Sequence, residues 1–507
     1  MTDNTENGTE IFFEEAELSP ELSEKEAVPE YTRDEFILSL ICFILAFGFV
    51  KLVVFCTTGF ITTLLYAAII TVCVVYLRKK GCKFGKLNTA LTGVLYVFSL
   101  VFSITDNGFI KDLASVFLFI AGAYLVYSVS AGKKDIERYL PFALERSVFG
   151  YPFTRFGAQF SITRSAMGDS RVGSTAKPVI LGLLIAVPLT AIVGALLMSA
   201  DAGLDRLFSG ILEKLSEADV PMLILQLAIA VPCSMYLFGM LYANCFRDKA
   251  DELDENDCRS RLEAMRFVRN LVIYSAVTPI LLLYVMFFVS QLTYFLSAFT
   301  GTLPDGYSYS DYARRGFFEL LAVTVINLAV MITMNLHAKD GGEHKPGALK
   351  FYTSALCIST LILIAAAVSK MILYISEYGL TRLRFYTTWF MLLCAVIFVL
   401  VIIRQFRHGF RFSFWVSLSF TILLGVLCFC RPDSLIATYN VEMYRSGHIS
   451  ELDTNALLSL SDDGILTALR LGAVTDEEAE SRISYRHEDD PYSVLNISSF
   501  ILESELE

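Results

Sequence analysis

Charge inside apolar runs is where this chain could do chemistry, because an ionised side chain in hydrocarbon is costly enough to persist mainly where it binds or pairs. Lys51, Glu319 and Lys370 interrupt such runs, and Asp112 borders one. Arg315 and Glu319 are four residues apart and share a helix face, as do Lys370 and Glu377, seven apart. Arg314 stands beside Arg315, and Arg382 and Arg384 follow in the turn after Glu377. Such a set could hold a polar solute or an oppositely charged partner at one end of a helix bundle. The plainer alternative is lysines snorkelling to the interface and exposed ion pairs of small individual worth.

Signatures of catalysis are missing. The five histidines (His337, His344, His408, His448 and His487) lie in loops or tails, none at metal-ligand spacing, and no H-E-x-x-H or nucleophile elbow occurs. Most of the eleven cysteines sit inside apolar runs as small core residues, with no C-x-x-C pair. No catalytic residue, cofactor or metal is expected. Asn7 and Asn496 match the N-x-S/T pattern, which carries weight only in a eukaryotic secretory setting.

The elements that must position these charges are membrane helices. The chain of 507 residues is 55% hydrophobic and only 18% charged, with a mean hydropathy of +0.56, which excludes a soluble protein of this size. A span needs roughly 20 apolar residues to cross about 30 Å of hydrocarbon. Eleven such runs are predicted: Phe36 to Cys56, Gly59 to Tyr76, Leu87 to Ile104, Leu113 to Ser130, Pro178 to Met198, Met222 to Cys245, Leu271 to Phe299, Phe317 to Leu336, Phe351 to Ile375, Tyr386 to Ile403 and Phe412 to Cys430. With eleven spans, every strongly basic loop falls on one side, the loops at Arg78 to Lys86, Lys133 to Lys177, Lys339 to Lys350 and Arg404 to Arg411 among them. Positive charge stays cytoplasmic, so the amino terminus is expected inside and the carboxyl terminus outside, in a bacterial plasma membrane.

Two acidic tails flank this basic body. Met1 to Arg33 holds ten acids and two bases, and Arg431 to Glu507 holds sixteen acids and five bases. Residues 1–34 are expected to be a disordered tail, 35–430 the multi-pass domain, and 431–507 a small helical domain of two to four helices, disordered at its end. Acidic tails would repel phosphate, so no nucleic-acid partner is expected; the bilayer and an envelope protein at the outer cap are. After the fifth span, Leu204, Leu207, Ile211 and Leu215 recur at helical spacing, as in an amphipathic surface helix. Pro188, Pro232 and Pro279 interrupt three successive spans, a pattern transporters use to line a site and membrane helices also tolerate.

Three stretches carry a resemblance to a known family: YARRGFFELLAVTVINLAV from Tyr312, YGLTRLRFYTTWF from Tyr378, and DSLIATYNVEMY from Asp433 followed by LDTNALLSL. Together they resemble the bacterial membrane family called domain of unknown function 4173, close to its sister 4153. The resemblance covers roughly Pro178 to Leu471 and implies a multi-pass inner-membrane protein, with no activity or site residues to carry over. All three stretches fall on the outer face by charge counting. They are therefore expected to pack together, with Tyr439, Asn440 and Glu442 meeting Arg314, Arg382 or Arg384. The expected architecture is an all-α polytopic bundle under a small outer helical domain, serving as a non-enzymatic scaffold or sensor. The alternative is a permease using the kinked fifth to seventh spans with Lys370 or Glu319.

Overall fold

A computed structural model describes residues 33–55, 59–136, 138–168, 220–246, 254–300, 309–339, 346–489 and 496–506. The chain is all-α, and ten helical segments among the described residues are long and apolar enough to cross a membrane. The first is α1 (Arg33–Phe49), which continues through a π-helical turn at Val50–Val54 that carries the exposed Lys51. Next come α2 (Phe60–Lys79), α3 (Lys86–Ser99) with its continuation α4 (Val101–Ile104), and α5 (Gly108–Ser130). The expected span at Pro178 to Met198, the amphipathic helix after it and the acidic amino-terminal tail lie outside the described residues.

The basic stretch after α5 is not a simple loop. It holds α6 (Leu140–Glu145), a π-helical turn at Arg146–Gly150, α7 (Tyr151–Thr154) and α8 (Ala158–Gly168). Val148, Tyr151 and Ile162 are buried there, and α7 and α8 pack on α9 (Val220–Cys245). Gly239 of α9 permits this close approach, since a Cβ at that position would lie 2.4 Å from the Pro152 carbonyl oxygen.

The remaining bundle comprises α10 (Glu255–Ala264), α11 (Asn270–Thr300), α12 (Tyr309–His337), α13 (Gly347–Tyr378), α14 (Arg382–Phe406) and α15 (Phe412–Phe429). Two apolar cores result. One gathers Cys42, Leu77, Phe98, Leu125 and Phe238 from the first helices and α9, with Leu424 of α15. The other gathers Phe317, Leu356, Cys357 and Phe398 from α12, α13 and α14. Helix α15 contacts α4, α5 and α14, so it joins the two. The Trp389 indole donates to the Leu423 carbonyl at 3.0 Å and is occupied within the bundle.

Beyond α15 the chain turns through Arg431, the one non-glycine residue with positive φ among those described (51°). Five helices follow: α16 (Pro432–Arg445), α17 (Thr454–Leu458), α18 (Asp462–Arg470), α19 (Asp476–Asp489) and α20 (Ile497–Leu506). They share a core of Ile436, Val441, Leu457, Ile465 and Leu502, and we refer to them as the cap. Five helices stand where two to four were expected. The acidic end includes α20, whose Ser498, Ser499 and Leu502 are buried against the rest of the cap. Asn496, in the glycosylation-like pattern, is also buried and caps α20 by accepting from the Ser499 N–H at 2.9 Å.

Candidate functional site

The cap meets the bundle where α4 ends, α5 and α14 begin, and α15 gives way to α16. Each of these ends is shaped by local sequence. Asn107 is the N-cap of α5, accepting from the Ile110 N–H at 3.2 Å. Thr381 caps α14, and Gly379 ends α13 with φ 74° and ψ 179°, a conformation essentially confined to glycine. Pro432 opens α16 at a position where a missing N–H costs nothing.

Two buried aspartates hold the junction. The Asp433 side chain, 1% exposed, takes a bidentate pair from Arg382, Nε to Oδ1 at 2.9 Å and Nη2 to Oδ2 at 2.5 Å. Its Oδ2 also accepts from Asn107 Nδ2 at 3.0 Å and from the Ser461 N–H at 2.9 Å. Burial alone would push this carboxyl up, but the hydrogen bonds and charge of Arg382, aided by Ser461, hold its pKa below the ordinary carboxylate value. Asp463 is likewise paired with Arg431, accepts from Thr105 at 2.7 Å, and lies 2.5 Å from the Ser498 hydroxyl, which also reaches the Ile104 carbonyl at 2.6 Å. Thus residues from the ends of α4, α5, α14, α16, α18 and α20 meet around two carboxylates. Beside them opens a cleft of about 350 Å³ lined by Asp106, Phe109, Arg382 and Ser461 among others.

The residues expected from sequence divide into groups. Asn440 packs on the α13–α14 turn, its Oδ1 accepting from the Leu380 N–H at 2.6 Å and its Nδ2 donating to the Leu380 carbonyl at 2.9 Å. Arg382 reaches Asp433, an α16 residue that the sequence reading had not singled out. Arg384 does not reach the cap residues proposed for it. It donates to the Tyr378 carbonyl at 2.9 Å and to that of Gly379, and lies over the Tyr374 ring at 4.0 Å, satisfying the carbonyl groups that α13 leaves open. Tyr439 is half-buried and Glu442 exposed on α16, while Glu377 is exposed on α13.

Within the second core, Lys370 lies against Gly316, where a Cβ would come 2.7 Å from its ammonium. Glu319, exposed on α12, is within electrostatic reach of Lys370. Arg314 and Arg315 belong to α12, and their side chains lie outside the described residues. At α5, Asp112 is exposed and its neighbour Lys111 is the buried charge, 3.5 Å from Asp106. The signal available for these missed groups was position: Asp106-Asn107 and Arg431-Pro432-Asp433 both sit directly at helix starts.

This arrangement defines a multi-pass helical membrane protein with a helical cap fastened to one end of the bundle by buried ion pairs. Among the described residues no group of His, Cys, Asp and Glu is placed to hold a metal ion. The family model for a domain of unknown function (DUF4153) matches residues 92–471, most of the chain, so the chain belongs to that family. The sequence motifs pointed to 4173 first; the family matched is the one named as its sister. No curated protein and no solved structure matches the chain.

Proposed function

We propose that this protein is a non-enzymatic scaffold or sensor of a bacterial plasma membrane, with the cap outside the cell as its interaction surface. The observation that supports this best is the way Asp433 and Asp463 tie the cap to the ends of several spans at once. Buried ion pairs of this kind fix relative position, and breaking one leaves an uncompensated charge. A partner that shifts the cap would therefore strain α5 and α14 directly. Basic loops support the sidedness: Arg78, Lys79 and Lys80 end α2, and Arg404 ends α14, all at the end of the bundle opposite the cap.

The test is crosslinking in intact cells from a photoreactive probe on the exposed cap residue Tyr444, followed by identification of what is captured. A defined envelope protein is expected. Recovery of neighbouring lipid alone would count against the reading.

A transport function draws on one specific feature. Gln159 of α8 donates to the Ser39 carbonyl at 3.0 Å and to Oγ of Ser234 at 2.6 Å, inside the bundle, and Ser234 stands two residues after Pro232 within α9. Its Oε1 is buried and has no partner among the described residues. Solute flux into vesicles containing this chain alone would move the conclusion to a permease.

A further inference from the structure

The cleft beside the two carboxylates takes its wall from the start of α5, the start of α14 and the residues just before α18. Gly108 and Phe109 open α5, and the first N–H groups of a helix have no acceptor within it. The Asn107 side chain takes the Ile110 N–H and neither of these. Arg382 spends one hydrogen each of Nε and Nη2 on Asp433 and one of Nη1 on the Ser459 carbonyl at 3.2 Å, so both Nη atoms keep a further donor. A helix N-terminus and a guanidinium edge thus share one wall, and together they are a donor set that binds phosphate.

Ser461 supplies an independent sign of a ligand. It is the N-cap of α18, a position where a serine hydroxyl ordinarily accepts from the next turn, yet it makes no such bond. The residue is 3% exposed and lies on the cleft wall, and its hydroxyl has no partner among the described residues. A buried hydroxyl left this way is costly until a group placed in the cleft bonds it.

Charge selects among phosphates. Asp106 also stands on the wall, 3.5 Å from Lys111, and disfavours a ligand that carries negative charge alone. A carboxylate accepts several bonds at once, so Asp106 can take an ammonium while keeping Lys111. A phosphate with a primary ammonium a few bonds away therefore suits the whole wall. Gly108 and Arg382 each open a span, which puts the cleft at the level of phospholipid headgroups, and the half-exposed Phe109 gives it an apolar flank. We propose that Arg382, the start of α5, Ser461 and Asp106 form a binding site for ethanolamine phosphate, held as the headgroup of a phospholipid in the leaflet on the cap side or as the free compound. This goes beyond the scaffold reading and does not depend on the cap having a protein partner.

The full chain, purified in a neutral maltoside detergent and depleted of lipid, is placed in phosphatidylcholine nanodiscs. Its thermal midpoint is followed as phosphatidylethanolamine is mixed into the discs, and separately as phosphoethanolamine is added to the buffer around pure phosphatidylcholine discs. A saturable rise is expected, from the lipid where the headgroup is the source and from the soluble compound alone where it is not. Phosphatidylglycerol, which has the phosphate without the ammonium, should give no saturable rise. Ser461→Ala should raise the half-saturating content of the effective ligand about tenfold, as expected for a lost hydrogen bond to a charged group. It should not lower the ligand-free midpoint, whereas a merely structural serine would lower that midpoint and leave half-saturation where it was. No rise from either source, or a Ser461→Ala chain that saturates as the parent does, would overturn the site. An equal rise with phosphatidylglycerol would overturn the assignment of a zwitterion.

Discussion

Asp433 shows how much a single side chain carries at the junction. Its carboxylate is buried, so its charge is tolerated only because Arg382, Asn107 and the Ser461 N–H surround it. Replacing it with alanine leaves the Arg382 guanidinium, itself part-exposed, without its anion, and should cost about 3 kcal/mol, the lower end for breaking a buried pair. The pH dependence has a definite sign. Because the folded-state pKa of Asp433 is depressed, its contribution is fully present above the unfolded value of about 3.9 and is lost as pH falls through the folded value. The stability gap between the parent chain and Asp433→Asn should therefore stay constant from about pH 7 to pH 5 and close only below about pH 4. Thermal midpoints of both in detergent across that range provide the check. A gap that already closes near pH 6 would mean that Asp433 is not held ionised by Arg382.

At the scale of elements, the turn between α13 and α14 is the piece that receives the cap. Gly379 has φ 74° and ψ 179°, and a Cβ there would lie 2.6 Å from Asn440 Oδ1, so both backbone and space require glycine. Gly379→Ala should loosen the cap by about 1–3 kcal/mol, read as faster proteolysis in the exposed stretch around Gly447. Asn440→Ala should loosen it as well, by removing both bonds to Leu380. The double variant should fall short of the sum, since alanine at 440 removes the atom with which the new methyl collides. Strict additivity would show that the two elements do not press on each other. The helices themselves were legible in the sequence, because a run of about 20 apolar residues has few other fates. The YGLTRLRFYTTWF and DSLIATYNVEMY stretches were legible as neighbours through charge counting, and Asn440 does bond the turn beside Arg382. The pairing of Arg382 with Asp433 was not legible, since an acid at a helix start reads as a favourable dipole contact whether or not it is buried. Nor was α20, whose acidic surface hides the buried side of a short helix.

At the scale of the whole molecule, contacts at the two ends of the helices fix which ends lie together. Asp34 of α1 lies 3.5 Å from Lys79 of α2, and Lys80 lies over the Phe246 ring, just past the end of α9, at 4.8 Å. Ser130, at the end of α5, donates to Asn244 near the end of α9 at 3.2 Å. Helix α9 thus begins on the cap side and ends on the basic side, and Arg33 and the cap lie at opposite ends of the bundle. The sidedness proposed above draws on cost: moving Arg78, Lys79, Lys80, Lys83 and Lys86 across the bilayer is far less favourable than moving the acidic cap. Protease sites inserted singly at Gly447, in the cap, and at Lys83, between α2 and α3, should respond oppositely in cells whose outer barrier has been opened. External protease should cut the chain at Gly447 and leave it intact at Lys83. Cleavage at Lys83 with protection at Gly447 would invert the protein in the membrane and turn the cap toward cytoplasmic partners.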